Sequence, residues 1–454
     1  MYRELPSLVT LEKPTPILAT MNSYCRTETA NARNEIARKI LRVASALPVI
    51  LLVALLLRLG DAWAYQRPRS PQALSTIPFL LEPGNIAYAL AVGKGFSSPF
   101  RADTGPTAWT TPAYPLLVAG IFRLFGVYTF PSYVASVLAN ILFSTLACAP
   151  LFLVGKRIAG GAVAAIAAWL WAVCPNAITF TVSIWDVSLS ALLAAAILWA
   201  TLALPESPGV HAWMAYGLLW GFAAMTNATL VALLPFLLAW LAYRTRWLMR
   251  PAIALAVAVL CCVPWTIRNY AVFHAFIPLR SVMGLQLWMG NNEQTRGRWA
   301  GALHPIDNSA DRARYVQRGE VAYMQEKKQE ALRFMLADPW REAGLMGKRF
   351  VVFWSGGSQH PIDDFWESHS LRVRGLLLFN LLAALGALGG IVALIHERNQ
   401  YAFPAVIFPI VYPLAAYLTL ASARYRLPID PAVLLLTAVA IKKWGPPWRR
   451  PPTT

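Results

Sequence analysis

Long apolar runs separated by short polar joints dominate this chain. A helix needs roughly 20 mainly apolar residues to cross a bilayer. Runs of that kind lie at 44–64, 131–155, 159–180, 185–204, 211–226, 229–243, 250–266, 373–395, 402–421 and 427–443. About ten transmembrane helices are therefore expected. Segment 112–126 is also apolar, but it is short and interrupted by Pro115 and Arg123. Two stretches break the rhythm. Residues 65–130 carry acids, a Gly-rich turn and aromatics, and 268–372 is long and mixed. The pattern predicts an all-α polytopic membrane protein with interfacial helices in its first outer loop and a small, mainly helical extracytoplasmic domain.

Charge sets the orientation, because cytoplasmic loops carry an excess of Lys and Arg. With a cytoplasmic N-terminus and a non-crossing 112–126, the clusters Lys156-Arg157, Arg244/Arg246/Arg250, His396-Glu397-Arg398 and Lys442-Lys443 all fall inside. Were 112–126 to cross, all of these would flip outside. It is therefore placed as a helix on the outer interface, anchored by Trp109 and Tyr114. The chain then divides into a cytoplasmic tail (1–43, with Met21 as an alternative start) and a transmembrane module (44–266) containing outer loop 65–130. An extracytoplasmic loop domain (267–372), the last transmembrane helices (373–443) and a cytoplasmic tail (444–454) follow. In the loop domain, the part up to about His304 reads as irregular. A helix with Val321, Met324, Ala331 and Met335 on one face follows Asp311, and another is expected from Trp340 to Phe353, after the break at Asp338-Pro339.

Composition confirms the class: 57% of residues are hydrophobic and only 14% charged, against about 25% charged in soluble domains. The net charge of +18 does not indicate nucleic acid. Segment 268–372 holds 14 Lys/Arg against 11 Asp/Glu, so the excess sits in tails and short loops. Cys25, Cys148, Cys174, Cys261 and Cys262 show no metal-ligand spacing, and neither a disulfide framework nor a zinc site is expected.

Reactive groups collect on the outward side. Asp61 sits where the first span meets water, and Glu82 lies in the loop beyond. Each reads as a solvated interfacial acid, or as a general base or metal ligand at the membrane surface. Glu82 is the stronger, since Pro83-Gly84-Asn85 suits a turn or an N-cap opening a helix. Gly93-Lys94-Gly95 would C-cap that helix, or meet a phosphate through backbone N–H groups. Asp186 opens a span as an N-cap or first-turn acid on the face that holds Glu82. Arg268 follows a span end, and Arg280 lies a short way on. Arg424-Tyr425-Arg426 joins two spans on the outside, against the positive-inside trend. Such Arg pairs suit a lipid phosphate, which guanidinium binds bidentately, or snorkel to headgroups. His304, His360, Asp363 and Asp364 lack ligand spacing, so no metal ligand is assigned and a divalent metal is left open. Trp288 with Asn291-Asn292 suits a sugar or plain loop packing.

The runs Gly84-Asn85-Ile86-Ala87-Tyr88, Gly93-Lys94-Gly95-Phe96-Ser97, Pro112-Ala113-Tyr114-Pro115 and Phe125-Gly126 together resemble the first outer loop of bacterial GT-C glycosyltransferases. The family 39-like enzymes, which include protein O-mannosyltransferases and aminoarabinose transferases, are the nearest type. Trp185-Asp186-Val187-Ser188-Leu189, Arg268-Asn269-Tyr270 and Arg424-Tyr425-Arg426-Leu427-Pro428 agree, so the resemblance covers nearly the whole chain from about residue 45. It implies a glycosyltransferase of the bacterial inner membrane with its active site outside the cytoplasm. Sugar would pass from a polyprenyl-phosphate donor to a lipid, glycan or protein acceptor.

The resemblance implies that an acid of the first outer loop is the base, which maps to Glu82, with Asp61 and Asp186 as further catalytic candidates. Arg424 and Arg426, with Arg268 and Lys94, would bind the donor phosphate. Tyr88, Trp109 and Tyr114 are the substrate-binding aromatics. Two places depart from the family pattern. Gly84 and Asn85 stand where adjacent acids are usual, and Thr110-Thr111 where aminoarabinose transferases carry an acid–base pair. The rival reading is a lipid or solute transporter or flippase, which should show inverted repeats and discontinuous spans. The sequence shows neither.

Overall fold

A computed structural model describes residues 43, 45–206, 209–295, 301–358 and 360–445. The expected N-terminal tail up to residue 42, with Met21 and Cys25, and the C-terminal tail from 446 lie outside the described residues. The first half contains α1 (Leu47–Gln66), α2 (Pro71–Thr76), α3 (Glu82–Ala91), α4 (Ala113–Phe125), α5 (Phe130–Leu146) and α6 (Cys148–Ala159). It continues through α7 (Gly161–Ala172), α8 (Pro175–Thr179), α9 (Val187–Ala203), α10 (Val210–Thr226), α11 (Leu234–Thr245) and α12 (Met249–Phe273). Then come α13 (Met283–Gly290), α14 (Ser309–Arg318), α15 (Glu320–Ala337), α16 (Pro339–Ser355) and α17 (Pro361–Glu367). The chain closes with α18 (Leu371–His396), α19 (Ala402–Val411), α20 (Leu414–Leu418), α21 (Ala423–Arg426) and α22 (Asp430–Trp444).

This is an all-α polytopic membrane fold. Among the described residues, six helical stretches are long and apolar enough to cross a membrane: Leu47–Gln66, Phe130–Ala159, Val187–Glu206, Ala228–Thr245, Met249–Phe273 and Leu371–His396. A seventh arises if α7 and Pro175–Val182, bent by 50°, count as one span. Helices α10, α19 with α20, and α22 fill the remaining apolar runs but are shorter. All ten expected runs are thus helical, and length separates the six from the rest. Helix α4 has 13 residues, too few to cross, and packs on α3 and α5.

The core is a bundle in which α9 and α22 are enclosed on most sides. Helix α22 packs on α18 and α7, and its residues Asp430–Ala440 are all buried. The basic groups gather at one end of this bundle. There Arg157 pairs with Glu206, Lys443 with Glu397, Lys442 donates to the Ala159 carbonyl, and Arg244 to Gln400. Asp186 and Asp430 mark the opposite end, at the starts of α9 and α22.

One span is discontinuous, which corrects the expectation of unbroken spans. Pro175 has no N–H to continue the ladder beyond Ala172, which strands carbonyls at the end of α7. The buried Arg58 of α1 fills the gap. It donates to the carbonyls of Trp171 (3.2 Å) and Ala172 (3.1 Å) and to Ser144 Oγ (2.8 Å). A buried intramembrane charge ordinarily suggests function. Here its donors are spent on a helix end.

The loop domain is more ordered than its sequence suggests. Segment 268–304, expected to be irregular, contains the end of α12 and the whole of α13. The helix expected after Asp311 starts at Ser309 and is split by Gly319, whose φ of +77° suits glycine. Helix α16 matches the expectation from Trp340 to Phe353.

Gly84, the third residue of α3, lies against the Phe79 backbone. A Cβ there would stand 2.2 Å from the Phe79 carbonyl oxygen. Overpacking of this kind costs about 1–3 kcal/mol, so Gly84→Ala should lower the melting temperature in detergent. Gly60→Ala in α1, where nothing lies within 4 Å of the added methyl, should leave it unchanged or raise it slightly.

Candidate active site

At the bundle end opposite the basic clusters, a cavity of about 1070 Å³ opens between the first loop, the starts of the spans and the loop domain. Of the residues singled out from sequence, Glu82, Asp186, Arg424, Trp109 and Tyr114 line it.

Glu82 is the first residue of α3 and is 5% exposed. Its Oε1 lies 3.1 Å from His304 Nε2. Burial alone would push this carboxyl up. The His304 imidazole, Glu82's own backbone N–H and the charge of Arg424 outweigh burial and hold it below the usual range. Asp186 stands at the N-cap position of α9 but does not cap it; its Oδ2 accepts from Ser190 Oγ at 2.8 Å. Burial pushes its carboxyl up, against that hydrogen bond and the charges of Arg424 and Arg280. Two carboxyls of one cavity are thus driven in opposite directions.

Arg424 lies over the Trp185 ring at 4.1 Å and donates to Tyr425 Oη at 3.2 Å. Arg280, on the same cavity wall, has a long contact of 3.4 Å to Thr229 Oγ1. Among the described residues neither guanidinium has a carboxylate within ion-pairing distance, whereas Arg426 pairs with Asp430 and Arg372 with Asp61. Both are half-buried, and a partly desolvated cation without a counter-charge is stabilised when an anion joins it.

The other sequence candidates lie elsewhere. Asp61 is an ion-pair partner of Arg372 at 2.8 Å, outside the cavity. Lys94 is exposed and bound to Asp103 at 2.6 Å, so its Gly-rich turn is the C-terminal cap of α3 and not a phosphate cradle. Arg426 is buried in a structural network, donating to Asp430, the Trp354 carbonyl and Asn380. Arg268 donates to the carbonyls of Thr107 (2.7 Å) and Phe96 (2.6 Å), which fastens the first loop to α12. Tyr88 stacks on Tyr128 at 5.3 Å outside the cavity. Trp109 and Tyr114 are not interfacial anchors: both are buried, Trp109 against Phe100 and Tyr114 bonded to Asn140. Asn291 serves Arg349 and the Leu418 carbonyl, and Trp288 lies under Lys327. These are packing roles.

Sequence reasoning noted Arg280 and His304 without giving either a site role and passed over Glu320, yet all three shape the site. His304 and Arg280 line it, and Glu320 organises its wall. The buried Glu320 carboxylate accepts from the hydroxyls of Thr107, Ser281 and Tyr315 and from the Ala108 N–H. It clasps the first loop to the loop domain, which sets Trp109 beside His304. No local motif announces these pairings, which join residues far apart in the chain. The divalent metal left open by the sequence finds no ready donor set: among the described residues no three His, Cys, Asp or Glu side chains gather around one point.

Residues 109–267 match the family model described as dolichyl-phosphate-mannose-protein mannosyltransferase. No curated protein matches the sequence significantly. The structure is similar to the oligosaccharyltransferase AglB from Archaeoglobus fulgidus, solved with an inhibitory peptide and a dolichol-phosphate. The TM-score is 0.53 at 14% identity, over 87% of this chain and 50% of that one. A second structure of the A. fulgidus oligosaccharyltransferase, with Zn and sulfate, gives 0.52 at 14% identity over 87% and 48%. The fold is similar to that of the archaeal oligosaccharyltransferase.

At such identities the likeness speaks to fold alone, and the chain spans about half the length of these archaeal enzymes. ArnT from Cupriavidus metallidurans bound to undecaprenyl phosphate is similar over 81% of this chain and 76% of its own, at 16% identity. Its TM-score of 0.36 adds nothing to the argument. The segment matched by the family model supplies one wall of the cavity, including Trp109, Tyr114 and Asp186. Glu82 precedes that segment, and Arg280, His304 and Arg424 follow it.

Proposed function

We propose that this protein is a polyprenyl-phosphate-dependent glycosyltransferase of inverting type, working in the bacterial cell membrane on the face away from the cytoplasm. The observation that carries this reading is that Arg280 and Arg424, neither with a carboxylate in ion-pairing distance among the described residues, line one cavity with Glu82, whose carboxyl is held below its usual range. The family match and the fold support it. The orientation follows from the basic clusters at the far end of the bundle.

In the proposed reaction the acceptor hydroxyl loses its proton to Glu82 and its oxygen attacks C1 of the sugar. The C1–O bond to the lipid phosphate breaks, and the electron pair leaves with the phosphate. Charge then grows in the cavity that Arg280 and Arg424 line, so their attraction is strongest in the transition state. Asp186, on the same cavity wall, offers a hydrogen-bonding partner to a sugar hydroxyl. The acceptor class is a lipid, glycan or protein hydroxyl entering beside His304 and Asp307.

The transporter reading gains nothing from the broken span, because its bend is filled by Arg58 and lies off the cavity wall. The deciding test uses the full chain purified in detergent with labelled dolichyl-phosphate mannose and undecaprenyl-phosphate sugars. Label should leave the lipid for an acceptor or water with no gradient present. Intact donor after prolonged incubation with every sugar would overturn the reading.

A further inference from the structure

His304 enters the cavity from the loop domain, just after the short turn Gly301–Leu303. It is 3% exposed. Its Nδ1 accepts the Ile306 backbone N–H at 3.1 Å. An imidazole nitrogen that accepts an N–H bears no proton, so the neutral ring carries its proton on Nε2, the atom 3.1 Å from Glu82 Oε1. The ring packs edge-to-face on both Trp109 (5.4 Å, 83°) and Phe100 (6.0 Å, 84°), which themselves meet at 4.9 Å. Both of those rings pack on Tyr315, whose hydroxyl is held by Glu320. Backbone, aromatic packing and carboxylate clasp thus fix both tautomer and orientation.

We propose that His304 is the positioning residue of Glu82: a tautomer-locked imidazole that donates Nε2–H to one carboxylate oxygen and leaves the other to the acceptor hydroxyl. The proposal rests on the reading of Glu82 as the base and goes beyond it. Because Nε2 already carries a proton and Nδ1 is engaged, His304 is not the proton's destination. Glu82 keeps the acceptor's proton until product leaves and then returns it to water. The base is therefore assembled only when the loop domain is docked, since Glu82 belongs to the first loop and its donor to the loop domain. Besides His304, the charge acting on Glu82 is Arg424; Arg101, Arg280, Asp186 and Asp307 share the cavity wall.

His304→Ala removes the donor, while His304→Gln keeps an N–H donor that cannot titrate. Both would be compared with the wild-type full chain in detergent, with dolichyl-phosphate mannose as the probe. For His304→Ala, kcat at pH 7 should fall about tenfold or more, with KM for the donor within about twofold. The acid limb of its pH profile should move to higher pH, because a buried carboxylate without its donor holds a proton more tightly. His304→Gln should recover kcat to within about threefold of wild type, with the limb returned; a merely structural role would not move that limb.

Infrared difference spectra of each protein against the same protein carrying Glu82→Gln supply a readout that needs no turnover. The carboxylate band should give way to a protonated carbonyl band at a higher pH in His304→Ala than in wild type or His304→Gln. An unmoved limb with an unmoved band conversion in His304→Ala would overturn the proposal, as would a His304→Gln variant as impaired as His304→Ala. If wild type leaves the probe intact, the activity reading fails on its own and the infrared comparison still decides the role of His304.

Discussion

Replacing Glu82 by Gln is expected to lower the rate of sugar transfer about 10²- to 10⁴-fold while the protein still folds and inserts. The amide keeps the shape of the carboxylate, and its oxygen can still accept the Nε2–H of His304 at about the present 3.1 Å. What it loses is the charge and the capacity to take a proton from the acceptor hydroxyl. Melting temperature in detergent should therefore change little while label transfer collapses. The pH profile of the wild type gives a second reading of the same group. The active form is ionised, and Glu82 is held below the usual carboxylate range by His304 and Arg424 against the cost of burial. Activity should thus persist as pH falls through the ordinary glutamate range and fail only beneath it. Near-normal turnover by Glu82→Gln would mean that another group activates the acceptor.

The helical bundle was legible because apolar runs encode it directly. Every expected run is helical, and even the non-crossing α4 could be placed from Pro115, Arg123 and the charge rule. What escaped the sequence is the pairing of distant residues. Arg424 and Arg426 look alike in Arg424-Tyr425-Arg426, yet one faces the cavity and the other is locked to Asp430 at 2.7 Å. A helical offset of two residues puts neighbours on different faces, and only packing decides which face is wet. His304 carried no signal because its partner lies in the first loop and its own segment has no regular period. Trp109 read as an interfacial anchor because an isolated Trp near a span end suits that role. The structure instead packs it edge-to-face on His304. Glu320 looked like one more surface charge of an amphipathic helix, and its four donors come from three separate segments.

Loss of one cavity guanidinium should cost the second-largest amount of activity, and the contrast with Arg426 makes the result interpretable. Arg424→Gln or Arg280→Gln removes a charge aimed at the departing phosphate, an effect of about 10²- to 10³-fold on kcat. The phosphate is charged before reaction as well, so the KM for donor should rise too, and free undecaprenyl phosphate should inhibit each variant less well than wild type. The folded state should tolerate both changes, because among the described residues neither half-buried guanidinium compensates a carboxylate within ion-pairing distance. Arg426→Gln should behave in the opposite way. It strands Asp430, which is 1% exposed, without the partner that now sits 2.7 Å away. Breaking such a buried pair costs about 3–5 kcal/mol, seen as a lower melting temperature and poor recovery from the membrane, and not as a selective change in donor KM. If Arg424→Gln instead lost stability and left kcat and donor KM intact, the guanidinium would belong to the scaffold and the phosphate would need another host.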